Sequence, residues 1–150
     1  MDAILIFIDG TICDTRHRHH LFGTADFYNE DEILNDLPTP NSINCIRELS
    51  KKFKIIYIGA RPECYRDITE KWINNTGFPD GEVYLSENQN VRLEIAKKLK
   101  NQYNIIVGIG DRWDDNELHL EIGCTSIILK EFDGDWNIVR KYVLKRKDGI

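Results

Sequence analysis

The sequence has no apolar run approaching the roughly 20 residues that a membrane-spanning helix needs. Its four cysteines show neither a CxxC pair nor another spacing typical of metal ligands. Free thiols in a reducing cytoplasm are therefore expected, and not a disulfide framework or a cysteine metal cluster. The opening stretch MDAILIFIDG lacks the basic start and small-residue cleavage site of a signal peptide, so we expect it to form a strand. Internal repeats, low-complexity segments and linkers are also absent.

The length and composition are those of an ordinary globular protein. The 150 residues suffice for one buried core, so a single domain over residues 1–150 is expected. Hydrophobic residues make up 41% and charged residues 30%, which excludes a disordered chain. The net charge of −5 argues against a protein that coats nucleic acid non-specifically, without excluding a local basic patch.

Short apolar runs alternate with amphipathic segments along the whole chain. The apolar runs, rich in β-forming residues, are 3–8, 54–58, 82–85, 104–109 and 125–129. The helix candidates are 41–52, 64–76, 90–101, 114–122 and 136–146. This order predicts an α/β fold, a three-layer Rossmann-like parallel sheet of about five strands with helices on both faces. In such a sheet the ligand binds beyond the carboxyl ends of the strands.

Three of these strand ends carry charged side chains. Asp9 follows the first strand in IFIDGT, and Arg61 follows the second in IGARPE. The fourth strand leads into GDRWDD, which supplies Asp111, Asp114 and Asp115. Clustered carboxylates favour a hard cation such as Mg²⁺, and a guanidinium suits a phosphate. The sequence therefore predicts a phosphate and metal site at this edge.

The same segments, in this order, resemble the motifs of the haloacid dehalogenase-like phosphatases over nearly the whole chain. Asp9-Gly10-Thr11 is similar to the second half of the first motif, Asp-x-Asp-Gly-Thr, and Arg61-Pro62 to the end of the second. Gly110-Asp111 through Asp115 resembles the fourth motif in full. The resemblance implies a fold without a large cap domain here, because the intervals between motifs are short. It also implies Mg²⁺-dependent phosphohydrolase chemistry.

A narrower resemblance is to small capless polynucleotide 3′-phosphatases. The stretches DTRHRHHL and ECYRDITEKWINNTGFP carry it. It implies that Arg92 stands at the position of the lysine of the third motif, with Lys97 as the alternative. Arg16 and Arg18 would then contact a phosphate or a nucleic-acid end, although a solvated basic loop is an equally good interpretation.

Three positions depart from the resemblance and put activity in doubt. One is Arg92, which keeps the charge of the lysine of the third motif but not its compact geometry. The family's nucleophilic aspartate is replaced by Phe7, which can neither attack phosphorus nor bind a metal. Gly59 stands where a Thr or Ser would bond the phosphoryl oxygen. A plain core residue is the simpler interpretation of Phe7. The predicted ligand-binding set is then Gly59, Arg61, Arg16 and Arg18.

The residual chemistry leaves three functions open. The first is a weak or inactive phosphohydrolase that binds a phosphorylated ligand or partner. The second is an active Mg²⁺-dependent phosphatase in which Asp9 is the nucleophile, Thr11 stands two residues on and Arg92 completes the catalytic set. The third is a structural interaction module. The predicted metal set is Asp9, through its carbonyl, with Asp111 and Asp115, and the missing carboxylate at Phe7 should weaken Mg²⁺ binding.

Overall fold

The structure, a computed structural model, describes residues 2–144. Its strands are β1 (Asp2–Phe7), β2 (Cys13–Asp14), β3 (Leu37–Pro38), β4 (Lys54–Gly59), β5 (Glu82–Leu85), β6 (Asn104–Gly110) and β7 (Thr125–Ile128). Its α-helices are α1 (Glu30–Leu34), α2 (Ser42–Ser50), α3 (Arg66–Thr76), α4 (Gln89–Gln102), α5 (Trp113–Ile122) and α6 (Trp136–Val139). Short 3₁₀ segments cover Arg16–Leu21, Ala25–Tyr28 and Glu63–Tyr65, and a π-helical turn covers Arg140–Leu144.

Five strands form one parallel sheet in the order β5-β4-β1-β6-β7. The α/β class and the five predicted strands are confirmed, with boundaries within two residues. β2 and β3 form a separate antiparallel pair in the connection between β1 and α2. The predicted last helix ends as a regular α-helix at Val139, and residues 145 and 146 of that prediction lie outside the described part of the chain.

Both faces of the sheet are covered, because β1 alternates its side chains between two apolar clusters. Ile4, Ile6 and Ile8 pack with buried residues of α2, α3 and α6. Ala3, Leu5 and Phe7 pack on the other face with buried residues of α4 and α5. Phe7 thus continues the apolar alternation of its strand.

The connection over residues 13–38 is held by a buried polar residue. Asp36 is 4% exposed, and its backbone oxygen accepts a hydrogen bond from Nε1 of the buried Trp72 on α3. No helix in residues 2–144 is both long and apolar enough to cross a membrane.

Candidate active site

The carboxyl ends of β1, β4 and β6 meet at one edge of the sheet, where a cavity of about 500 Å³ opens. Of the residues predicted for the site, Asp9, Gly59, Arg92 and Asp115 line this cavity, and so does Phe7. Arg16, Arg18 and Arg61 do not line it. The structure therefore brings together part of the predicted set and places the rest in other contacts.

Phe7 occupies the end of β1 as a core residue. Its side chain is 5% exposed, and its ring meets the His119 ring edge-on with centroids 5.7 Å apart. His119 is fully buried, so desolvation lowers its pKa to about 4 and keeps the imidazole neutral near pH 7. The end of β1 is thus filled by an apolar ring backed by a neutral one.

Asp9 is held by Arg61. The guanidinium donates from Nη2 to Oδ1 of Asp9 over 2.6 Å, and from Nε to both carboxylate oxygens over 3.2 Å. Burial alone would raise the pKa of Asp9, but the charge and hydrogen bonds of Arg61 outweigh it and hold that pKa below its ordinary value. A carboxylate that is fully ionised and shared with an arginine is a poor general acid, because it carries no proton to give.

Arg61 belongs to a buried ionic network that also takes in Arg18. Arg61 and Arg18 are both completely buried, and Asp36 lies between them. Arg18 donates to both oxygens of Asp36 over 2.9 Å, and Nη2 of Arg61 lies 3.5 Å from Asp36 Oδ2. Arg61 also donates to Thr69 over 2.9 Å. These contacts join the loops after β1 and β4, which carry Asp9 and Arg61, to the segment 16–36, which carries Arg18 and Asp36.

The partner that organises this network, Asp36, carried no signal in the sequence. It sits in the stretch NDLPTP, where an acidic residue reads as part of a solvated turn. Arg16 stays outside the network: it donates to Asp14 over 2.6 Å, with its own side chain 53% exposed.

Thr11, Asp111 and Asp115 form the entrance to α5. Thr11 Oγ1 donates to Asp111 Oδ1 over 2.8 Å. Gly10 has φ +88°, and a Cβ there would lie 2.2 Å from Asp111 Oδ2, so only glycine allows this approach. Asp115 Oδ2 accepts from the backbone N–H groups of Asp111 and Arg112 over 3.0 and 3.1 Å.

The carboxyl of Asp111 is left with one buried oxygen, Oδ2, that has no hydrogen-bond partner. Burial raises the pKa of Asp111 to about 7, against the lowering effect of the Thr11 hydroxyl. Burial also raises the pKa of Asp115, opposed by its two backbone donors. Near neutral pH, Asp111 thus carries only part of a negative charge.

Several side chains around the predicted metal site are engaged in other contacts. Asp9 is committed to Arg61, Asp115 to two backbone donors, and Phe7 offers no oxygen. Within residues 2–144, no group of three or more His, Cys, Asp or Glu side chains is arranged to hold a metal ion. Mg²⁺ requires near-octahedral oxygens, and the metal site expected from the Asp9 carbonyl with Asp111 and Asp115 stays a prediction.

Arg92 is the buried cation in the cavity wall. It is 6% exposed and donates to the Ser86 carbonyl over 2.7 Å and to Gln89 Oε1 over 2.6 Å. Its Nε has no partner, and no carboxylate in the described residues lies within ion-pair distance. Burial accordingly lowers its pKa. Lys97, the alternative for this position, is 48% exposed, pairs with Glu94 and does not line the cavity.

Gly59 lines the cavity without being able to carry the missing hydroxyl. A Cβ at this position would lie 3.1 Å from Leu85 Cδ2 and 3.2 Å from Ile8 Cδ1. A serine or threonine would therefore require the side chains of Leu85 and Ile8 to shift by a few tenths of an ångström.

Several cavity residues were missed from the sequence. They are the aromatic residues Phe22, Phe27, Tyr28 and Phe132, and the cation Arg112. The aromatic ones lie in segments without strand or helix periodicity, so no pattern directed them to the site. Phe132 has φ +64°, and its N–H donates to the Gly10 carbonyl over 2.8 Å, which ties the loop after β7 to the loop after β1.

The fold has well-matched neighbours among solved structures. A haloacid dehalogenase-like hydrolase of Streptococcus pneumoniae matches with a TM-score of 0.67 at 15% identity, covering 93% of this chain and 90% of that one. A Bacteroides thetaiotaomicron enzyme of the same superfamily, in complex with magnesium and inorganic phosphate, matches with a TM-score of 0.59 at 12% identity, covering 93% and 98%.

A chain of the Pnkp1/Rnl/Hen1 complex matches with a TM-score of 0.67 at 19% identity. The match covers 89% of this chain and 47% of that one, so this chain spans about half of its length. No protein-family model and no curated protein sequence matches this chain. The structural matches show a haloacid dehalogenase-like fold without a large cap.

Proposed function

We propose that this haloacid dehalogenase-like domain binds a phosphorylated ligand at the β1–β4–β6 edge with little or no hydrolysis. Arg92 carries the proposal, because it is a buried guanidinium in a cavity wall that lacks a carboxylate partner. Asp115 and Asp114 offset part of the charge of Arg92 without forming an ion pair with it, and a bound anion would offset more of the cost of burying that charge.

For an oxyanion bound at Arg92, the guanidinium offers hydrogen-bonding geometry in addition to its positive charge. The guanidinium keeps one buried N–H donor, Nε, without a partner, and its planar fork suits the geometry of a phosphate. Arg112, on the same cavity wall at the start of α5, adds a second positive charge. Of the nearby acids, Asp115 accepts from two backbone donors through Oδ2, and neither Asp115 nor Asp114 forms a hydrogen bond with Arg92.

The side chains at this site do not favour hydrolysis of the phosphorylated ligand. Phe7 removes the nucleophile, and the Arg61 pair keeps Asp9 without a proton and with both oxygens engaged. For Asp9 to act as the nucleophile, it would have to leave an arginine that is completely buried. Losing a covalent nucleophile removes most of an enzyme's rate enhancement and leaves what binding and electrostatics supply.

A nucleic-acid 3′-phosphate is a second candidate ligand. It is supported by the open site, by the narrower sequence resemblance, and by the fold match to a chain of an RNA repair complex. A 3′-phosphorylated oligonucleotide, compared with the same oligonucleotide ending in a hydroxyl, tests it directly.

The central experiment measures phosphate binding by calorimetry in wild-type, Arg92→Gln and Lys97→Gln proteins, with and without EDTA. We expect Arg92→Gln to weaken binding at least about tenfold, the value of one charge-assisted hydrogen bond. Lys97→Gln is the matched control and should bind like the wild type, since Lys97 lies outside the cavity. EDTA should have no effect.

Two results would replace this proposal. Mg²⁺-dependent turnover of p-nitrophenyl phosphate, abolished by Asp9→Asn, would establish an active phosphatase. An unchanged melting temperature with phosphate, nucleotides and Mg²⁺ alike would favour a structural interaction module.

A further inference from the structure

The cavity has an aromatic wall formed by Phe22, Phe27 and Tyr28. The Phe22 and Phe27 rings meet edge-on with centroids 5.4 Å apart, and Phe27 meets Tyr28 edge-on at 4.9 Å. All three come from the connection between β1 and α2, whereas Arg92 and Arg112 come from the starts of α4 and α5. The cavity therefore combines an aromatic component and a cationic component contributed by different parts of the chain.

Two rings of the aromatic wall, those of Phe27 and Tyr28, are held by contacts with residues that do not line the cavity. The buried guanidinium of Arg18 lies 4.6 Å from the Phe27 ring centroid and donates to the Phe27 carbonyl over 2.8 Å. Tyr28 stacks on Tyr65 with centroids 4.7 Å apart and an interplanar angle of 20°. Phe27 and Tyr28 are thus held in place before any ligand arrives, which reduces the entropic cost of stacking on them.

Phe22 differs from Phe27 and Tyr28 in that its side chain is largely exposed. Its side chain is 78% exposed although it lines the cavity. An exposed phenyl ring beside two fixed rings leaves an open aromatic face, and such faces bind planar rings by stacking. Core packing does not explain Phe22, whereas a ring-bearing ligand would cover it.

We infer that the ligand is a phosphate monoester whose organic part carries a planar aromatic ring, with a nucleoside monophosphate as the best representative. The ring stacks at Phe22 and Phe27 while the phosphate meets Arg92. A cavity of about 500 Å³ falls in the range of pockets that enclose such small molecules. The inference about the phosphate end rests on the proposed function, whereas the inference about the ring rests on the aromatic wall.

The test compares three probes by calorimetry in EDTA: adenosine monophosphate, ribose 5-phosphate and adenosine. The wild-type protein should bind adenosine monophosphate at least about tenfold more tightly than ribose 5-phosphate, since one stacked base contributes a factor of this order. Phe22→Ala should weaken adenosine monophosphate about tenfold and leave ribose 5-phosphate unchanged. Phe22 is largely exposed, so its removal should not unfold the protein.

Leu120→Ala is the matched control, because Leu120 is 65% exposed and lies away from the cavity lining. It should bind all three probes like the wild type. Equal affinity for adenosine monophosphate and ribose 5-phosphate, unaffected by Phe22→Ala, would overturn the ring inference while leaving phosphate binding intact. Phosphocholine binding more tightly than adenosine monophosphate would also overturn it, in favour of an alkylammonium group.

The two proposals can fail separately. Suppose that adenosine binds and that Phe22→Ala weakens its binding, while Arg92→Gln leaves the affinity for adenosine monophosphate unchanged. The ring inference then stands and the phosphate proposal is wrong. If a long 3′-phosphorylated oligonucleotide binds in the Phe22→Ala protein as in the wild type, the aromatic wall does not read a base and the inference fails.

Discussion

Asp9 keeps the residue type of the family's acid/base position but lies in a different set of contacts. Its carboxylate, one third exposed, pairs with the fully buried Arg61, and Arg61 reaches Asp36 and Thr69 behind it. An uncompensated guanidinium in that position would be costly. The Asp9–Arg61 pair therefore contributes to the stability of the loops after β1 and β4.

Asp9→Asn should therefore reduce stability and not only any residual activity. We expect a loss of about 3 kcal/mol in the free energy of unfolding, typical of breaking one side of a buried ion pair. The pKa of Asp9 is lowered in the folded protein, so its contribution is present above the unfolded pKa near 4 and is lost as the pH falls through the folded value. Urea unfolding at pH 7 and below pH 4 should show a difference between wild type and variant that shrinks in acid.

Asp14→Asn is the control for this measurement, because Asp14 pairs with the exposed Arg16. It should unfold close to the wild type at both pH values, since exposed pairs contribute little. An Asp9→Asn protein as stable as the wild type would mean that Asp36 alone neutralises Arg61.

At the scale of elements, strands and helices with a clear period were predictable and the segment between them was not. The five strands of the sheet follow from consecutive β-branched and apolar residues, as in β1 and β4. The short pieces between β2 and β3 have no such pattern. They are placed by the buried pair of Arg18 and Asp36, a contact 18 residues apart that no local rule reveals.

The first turn of α5 determines the conformation of the loop after β6 at the edge of the site. Asp115 on its first turn is 4% exposed and bonds back to the N–H groups of Asp111 and Arg112. Asp115→Ala would leave those two donors unsatisfied, so we expect a loss of about 1–2 kcal/mol in the free energy of unfolding. Amide hydrogen exchange at residues 111 and 112 should accelerate before the rest of α5 is affected.

Asp114→Ala provides the comparison, because the Asp114 side chain is exposed and only its backbone carbonyl accepts a hydrogen bond, from Gln89. It should leave exchange at residues 111 and 112 unchanged. Both variants should also be measured with Mg²⁺. A Mg²⁺-dependent stabilisation of the wild type that disappears in Asp115→Ala would identify Asp115 as a metal ligand and not simply a helix cap.

For the whole molecule, the site is formed where several strands end, and the ends of β1 and β4 lack side chains that the resemblance to phosphatases implies. β1 ends in Phe7, the loop after it commits Asp9 to Arg61, and Gly59 at the end of β4 faces apolar groups. The motifs could be located from the sequence because parallel strands bring their carboxyl ends to one edge. The pairing of Asp9 with Arg61 could not, because it depends on how the loops fold over that edge.

A carboxylate introduced at position 7 should therefore not by itself confer phosphatase activity. Phe7→Asp would place a carboxylate in an apolar setting beside His119, which has no charge to offer it, so we expect a loss of at least about 3 kcal/mol in the free energy of unfolding. The new carboxylate would still lack a proton donor at Asp9 and a hydroxyl at Gly59. Turnover of p-nitrophenyl phosphate in Mg²⁺ should stay at the wild-type level, with Phe7→Leu as the apolar control of similar burial. A Mg²⁺-dependent gain in turnover by Phe7→Asp alone would show the opposite: that Asp9 can leave Arg61 when a nucleophile and a metal are present, and that a single substitution separates this fold from a phosphatase.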